Sequence, residues 1–221
     1  MAPSTPNLAQ DLVRIHKIIT RAINVGLTKG TEYLQTGFPP SQVILGYSRY
    51  TACLVSVLGS HHQVEDQILF PAFRKVIPSA PYGQLASDHN KIEMLLALFP
   101  NEITSLSGDV LLHEISVITD SLHKILGIWA SHYQLEEQYF STHALNAVLD
   151  LDGQRLIGDA VGKFIQERPG PVNLLIPFNL YNLEPTDRAA MAANFPTNVI
   201  DELVPKVWID QWTPMKPFLL N

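Results

Sequence analysis

The chain has 221 residues, 46% of them apolar and 16% charged, with a formal net charge of −6. This composition supports one domain with a large core, plus an extension, and excludes a disordered chain. With no basic stripe, nucleic acid is excluded as a main partner. The single cysteine, Cys53, rules out an internal disulfide and suits a reducing compartment. The start, Met1-Ala2-Pro3-Ser4-Thr5-Pro6, lacks the basic-then-apolar order of a secretory signal. No apolar stretch is expected to reach the roughly 20 residues of a membrane span. A soluble, cytoplasmic protein is expected.

Four long helical patterns fill the first two-thirds. Over about residues 7–28, Leu8, Leu12, Ile15, His16, Ile19 and Ile23 recur at helical spacing, with Asn7 as a cap. Gly37-Phe38-Pro39-Pro40 then breaks the helix. The second pattern spans about residues 41–70 and leaves through Pro71. Tyr50, Leu54, Val57, Leu58, His61 and Glu65 lie on one of its faces. The third spans about residues 81–99, with Leu85, His89, Ile92, Glu93 and Leu96 aligned before Pro100. The fourth starts near Asp109 and runs past Tyr139, with Leu122, Ile125, Trp129, His132 and Glu136 facing inward. The expected class is all-α, an up-down four-helix bundle over residues 1–149.

After Leu149 the pattern changes. Asp152 is a candidate cap for an amphipathic helix carrying Leu156, Ile157, Val161, Phe164 and Ile165, which ends before Pro169-Gly170-Pro171. Short helices are expected near residues 186–193 and 197–212. Trp208, Trp212 and Phe218 give residues 150–221 too much aromatic surface for a free tail, so this extension is expected to pack on the bundle. Leu174-Leu175-Ile176-Pro177-Phe178 is a candidate closure for one bundle end, shaping an access channel.

One metal-ligand pattern occurs twice. His16 precedes His61-x-x-x-Glu65 and His89 precedes His132-x-x-x-Glu136, with gaps of 45 and 43 positions between the histidines. Residues four apart share a helix face, so each His-x-x-x-Glu pair reaches one centre. His89 and Glu93 have the same spacing. The candidate ligands are His16, His61, Glu65, His89, Glu93, His132 and Glu136. Buried without a partner, such groups cost several kcal/mol each, roughly; carboxylates that bridge two cations remove that cost, and imidazoles favour iron, zinc or copper over calcium or magnesium. Four-helix bundles hold di-iron and di-manganese centres in this way. For Glu93 the competing reading is a carboxylate that orients a ligating histidine.

With those residues, and with the exit Glu65-Asp66-Gln67-Ile68-Leu69-Phe70-Pro71, the chain resembles the hemerythrin HHE cation-binding family over roughly residues 8–145. The resemblance implies two irons bridged by an oxo or hydroxo group and by Glu65 and Glu136. His16 and His61 would serve one iron, and His89 and His132 the other. Oxygen-carrying members have a histidine where this chain has Glu93. That departure points away from reversible oxygen carriage and toward oxygen or peroxide chemistry, or iron sensing. The extension resembles tails of some fungal members.

The remaining residues have plainer readings. His62 lies about 100° from His61 around the helix and is expected in solvent. His113, His123 and His143 are expected on the surface, Asp66 and Glu137 in solvent or behind a ligand, and Cys53 in the core. Tyr50 and Tyr139 share ligand faces, with packing as the simpler role. The expected function is a non-haem di-iron protein that binds and reacts with O2 or H2O2, oxidase- or oxygenase-like if it has a small organic substrate, catalase- or peroxidase-like if not. The alternatives are a non-catalytic oxygen or iron sensor or store, and a zinc or manganese protein using the same ligands. A pocket supplied by the extension beside the metals would favour an enzyme; a sealed bundle would favour binding.

Overall fold

The computed structural model describes residues 7–100, 103, 108–168 and 170–221. No strand occurs among them. Four helices close a ring of contacts, α1 (Leu8–Thr36) against α2 (Ser41–Val64), α2 against α4 (Tyr82–Leu96), α4 against α5 (Gly108–Tyr139), and α5 against α1.

Asn7 caps α1 by accepting the Gln10 amide at 3.0 Å. The helix continues to Thr36, beyond the residue 28 expected from sequence. Its glycines are contact points rather than breaks. A methyl group on Gly30 would strike the Thr119 and Tyr47 hydroxyls, and one on Gly26 would meet Leu122 at 2.9 Å. Only Gly37, at φ +97°, takes the left-handed backbone that ends the helix ahead of Pro39 and Pro40.

α2 changes pitch where the site begins. A π-helical stretch, Glu65–Leu69, joins it to the single turn α3 (Phe70–Phe73). Pro71 explains the wider turn, because its ring would strike the carbonyl four residues back in a regular helix. The stretch Ser41–Phe73 is long and apolar enough, by composition, to cross a membrane, contrary to the expectation from sequence. More than half of that stretch is buried here, since it is the central helix of the core.

The fourth pattern also breaks earlier than expected. Ser141 caps a separate helix, α6 (Thr142–Val148), and Asp150, not Asp152, caps α7 (Leu151–Gln166) by accepting the Gly153 amide at 2.8 Å. Asp152 sits in the first turn, where its charge favours the helix dipole. Then come α8 (Val172–Tyr181), α9 (Pro185–Ala192), a π-helical stretch Val199–Val207, α10 (Ile209–Trp212) and a 3-10 helix Thr213–Phe218. Pro169 lies outside the described residues.

The extension shares the bundle's core. Phe178, Leu183, Val204, Trp212, Met215 and Phe218 belong to one apolar cluster with Ile19, Tyr47 and Leu58. A methyl group on Gly46 would strike the Pro214 carbonyl, so α2 and the C-terminal 3-10 helix touch backbone to backbone. A buried polar knot ties the same place. Arg21 donates to Asn182 Oδ1 (2.6 Å) and the Phe218 carbonyl (2.7 Å), and the Tyr50 hydroxyl donates to Asn182 Oδ1 (2.7 Å). α8 therefore packs at the level of Tyr50 on α2. Its Phe178 ring packs 5.0 Å from Tyr50, three turns before His61 on α2. α7 covers the other end, against the π-helical stretch.

Candidate metal centre

The helix registers set the ligands at one level. Gly30 faces Tyr47 and Gly26 faces Thr51 across antiparallel α1 and α2. Continuing that register by ten residues brings His61 opposite His16. Across α1 and α5, Gly30 faces Thr119 and Trp129 Nε1 donates to Thr20 Oγ1 at 2.8 Å, which sets His132 and Glu136 beside His16.

Two four-residue groups result. His16, His61, Glu65 and Glu136 offer donor atoms within 4.8 Å of one another, and so do Glu65, His89, His132 and Glu136. The two carboxylates belong to both groups. Glu136 turns Oε2 to His16 Nε2 (3.1 Å) and Oε1 to His132 Nε2 (3.4 Å). Glu65 Oε2 lies 3.3 Å from both His61 Nε2 and His89 Nε2. His89 Nε2 and His132 Nε2 face each other at 3.2 Å. Neighbouring donors on one ion at about 2.1 Å stand about 3.0–3.4 Å apart, so these spacings suit shared metal ions. Among the described residues, His16 Nε2, His61 Nε2 and all four oxygens of Glu65 and Glu136 are buried with no hydrogen-bond partner, although they lie close to one another. The donor set of imidazole and bridging carboxylate fits transition metals.

Charge is divided unequally in the cage. Burial and the neighbouring Glu136 carboxylate push Glu65 up to about 8. Glu136, despite burial that would raise it, is pulled down to about 2 by His16 and His89. Burial would lower His16 and His89, but the carboxylates touching them outweigh it. Glu136 and Glu137 raise His16 to about 9, and Glu136 and Glu65 raise His89 to about 10. His61 is held well below the ordinary histidine value by burial and by the surrounding imidazoles.

A second layer orients the lone histidines. His16 Nδ1 lies 2.9 Å from Glu137 Oε1, and His89 Nδ1 lies 3.0 Å from Asp66 Oδ1. Each carboxylate directly follows a shared glutamate, and each serves a histidine on the neighbouring helix. Carboxylates placed this way fix the tautomer and tilt of a ligating imidazole. Trp129, fully buried, packs edge-on to His16 (5.5 Å) and His61 (5.8 Å), and Phe70 stacks on His89 at 5.5 Å. Tyr133 approaches His16 to 5.7 Å, an aromatic neighbour the sequence reading did not single out.

Six of the seven candidate ligands meet in these groups. Glu93 does not. It is exposed on α4, outside every group, because a further turn from His89 carries it past the inward face. His62 departs in the opposite sense. Expected in solvent, it is fully buried beside the ligands. The inward arc of α2 is wider than the 100° between successive residues, since α2 packs on α1, on α4 and on the extension. His113, His123 and His143 are exposed. Tyr50 is committed to Asn182.

A cleft of about 510 Å³ opens beside the centre, with Arg14, Lys17, Glu137, Ser141, Thr142 and Asp187 among its lining residues. It reaches Glu137 but none of the six ligands, which are at most 7% exposed. Asp187 is the extension's contribution and pairs with Lys17 at 2.6 Å.

Neither curated proteins nor solved structures match the chain. A family model does, the hemerythrin HHE cation-binding domain, over residues 7–144 and so more than half of the chain. Two histidine–glutamate groups sharing both carboxylates at the centre of a helical bundle agree with that match, and the chain belongs to the hemerythrin HHE cation-binding domain family.

Proposed function

We propose that the protein holds two irons between α1, α2, α4 and α5 and binds and reacts with dioxygen or peroxide. The observation that carries this reading is the sharing of Glu65 and Glu136 between two histidine pairs, which would let two ions act as one redox unit. When bound, a di-iron pair supplies two electrons to an oxidant and an open position for it. The chain's own part is to hold and shield. His16 and His61 support one position, and His89 and His132 the other. Glu137 and Asp66 lock two of the imidazoles, and Trp129 and Phe70 exclude water. The cleft ending at Glu137 gives a small polar reactant its nearest approach. With its one thiol buried in the core, the protein suits the cytoplasm.

A second reading has its own support. The ligands are sealed and the cleft stops short of them, which favours gas or iron binding without turnover, as in a sensor or store. One experiment separates the two. Anaerobically purified, iron-supplied protein is assayed for metal and then exposed to O2 or H2O2. About two irons per chain and repeated consumption of the oxidant support the reactive centre. Two irons with a single stoichiometric reaction support the sensor or store. Zinc or manganese at full occupancy, with iron refused, would sink the iron assignment.

A further inference from the structure

One buried imidazole is left over once the six residues of the two histidine–glutamate groups are assigned. His62 is fully buried, and among the described residues neither of its ring nitrogens has a hydrogen-bond partner. An imidazole with two idle nitrogens in a dry core is a costly arrangement unless something at that place uses one of them.

The surroundings say what would. The His62 ring stacks on His89, with centroids 4.1 Å apart and planes 15° apart, and meets His132 edge-on at 5.7 Å. A ring nitrogen from each of His62, His89 and His132 falls within 4.8 Å of the others, so the three imidazoles form a group of their own. His89 and His132 are also the histidines of the second Glu65–Glu136 group. We propose that His62 is a fifth imidazole of the centre, completing a three-histidine face on the second metal position, while His16 and His61 serve the first alone. α2 then feeds both positions from adjacent residues, His61 to one and His62 to the other. Glu93, one turn on from His89, is exposed and outside every group, so the extra donor beside His89 comes from α2 rather than from α4. The first position, with fewer protein donors, is the one left room for an outside ligand.

The inference rests on the two-metal reading, and the test keeps their failures apart. Wild-type protein is loaded with cobalt(II), and the hyperfine-shifted, exchangeable imidazole N–H resonances are counted by proton NMR. Five signals are expected. Four would overturn the role of His62 while leaving the centre intact, and none would overturn the two-metal reading together with it. The count needs no variant, so a folding defect cannot confuse it. In His62→Gln, one signal should vanish and cobalt affinity at one position should fall at least tenfold, with the other position unchanged. Unchanged affinity at both positions in a folded His62→Gln would also overturn the proposal.

Discussion

At the metal end, His16, His61, His62, His132, Glu65 and Glu136 all keep buried nitrogens or oxygens without a hydrogen-bond partner. At the other end, Tyr50 and Asn182 are as deeply buried, yet they bond to Arg21, to each other and to the Phe178 carbonyl. Nine of the eleven unpartnered buried atoms among the described residues belong to the metal end, so the polar cost there is concentrated rather than spread. A fold that closes its own hydrogen bonds at one end save for Asn179 Oδ1, and leaves nine atoms open at the other, has marked where a ligand supplies the missing interactions. The extension end is finished by the chain itself, and the metal end by what it binds.

That contrast is easiest to break at the shared carboxylates. Glu136→Ala should empty both metal positions, whereas Glu93→Ala should leave metal content unchanged; elemental analysis of the two variants decides, and a fully loaded Glu136→Ala would end the bridging assignment. Smaller effects are expected one layer out. Asp66→Asn and Glu137→Gln should each weaken metal binding by roughly 10- to 100-fold, Asp66 at the His89 position and Glu137 at the His16 position. Competition with a chelator measures both, and wild-type affinity in either variant removes that carboxylate from the design.

The extension end should respond in stability instead. Gly46→Val forces a side chain into the Pro214 carbonyl and should cost about 1–3 kcal/mol, lowering Tm by roughly 2–4 °C for each kcal/mol, with metal content retained. Metal lost in proportion to stability would show that the two ends are not separate. The smallest effect is in protons. In the metal-free fold His16 and His89 are raised to about 9 and about 10, and Glu65 to about 8, so all three carry protons at neutral pH. Ligation needs them deprotonated, so metal uptake should release protons near pH 7, and less as pH rises through 8 to 10. The raised histidines also stabilise the metal-free fold below pH about 6.5, a contribution lost as pH climbs through 9 to 10. Calorimetric uptake in buffers of different ionisation enthalpy reads the release. Uptake with no proton exchange would mean the cage is not charged in this way.

Much of the site was legible from spacing. His61 with Glu65, and His132 with Glu136, are four-residue steps on single helices, and their repetition named six groups that the structure brings together. The two departures involve the same kind of step. Glu93 has the right spacing from His89 and still faces solvent, while His62 has the wrong spacing from Glu65 and is buried. Spacing gives an angle around one helix. Which arc of that helix is inward depends on how many neighbours surround it, and α2 has more of them than α4. Likewise, the π-helical turn at Glu65–Leu69 had only Pro71 to announce it, and the glycines of α1 read as weak helix until Tyr47, Thr119 and Leu122 are seen packed against them.

By itself the sequence determined the family, the all-α class and the repeated ligand pairs, because each follows from residue type and periodicity along one helix. Tertiary structure alone decided which carboxylates are shared, which hold the lone histidines, that His62 joins the cage while Glu93 leaves it, and that the C-terminal residues close the far end. Those outcomes depend on the register and crowding of helices far apart in the chain, which no local pattern encodes.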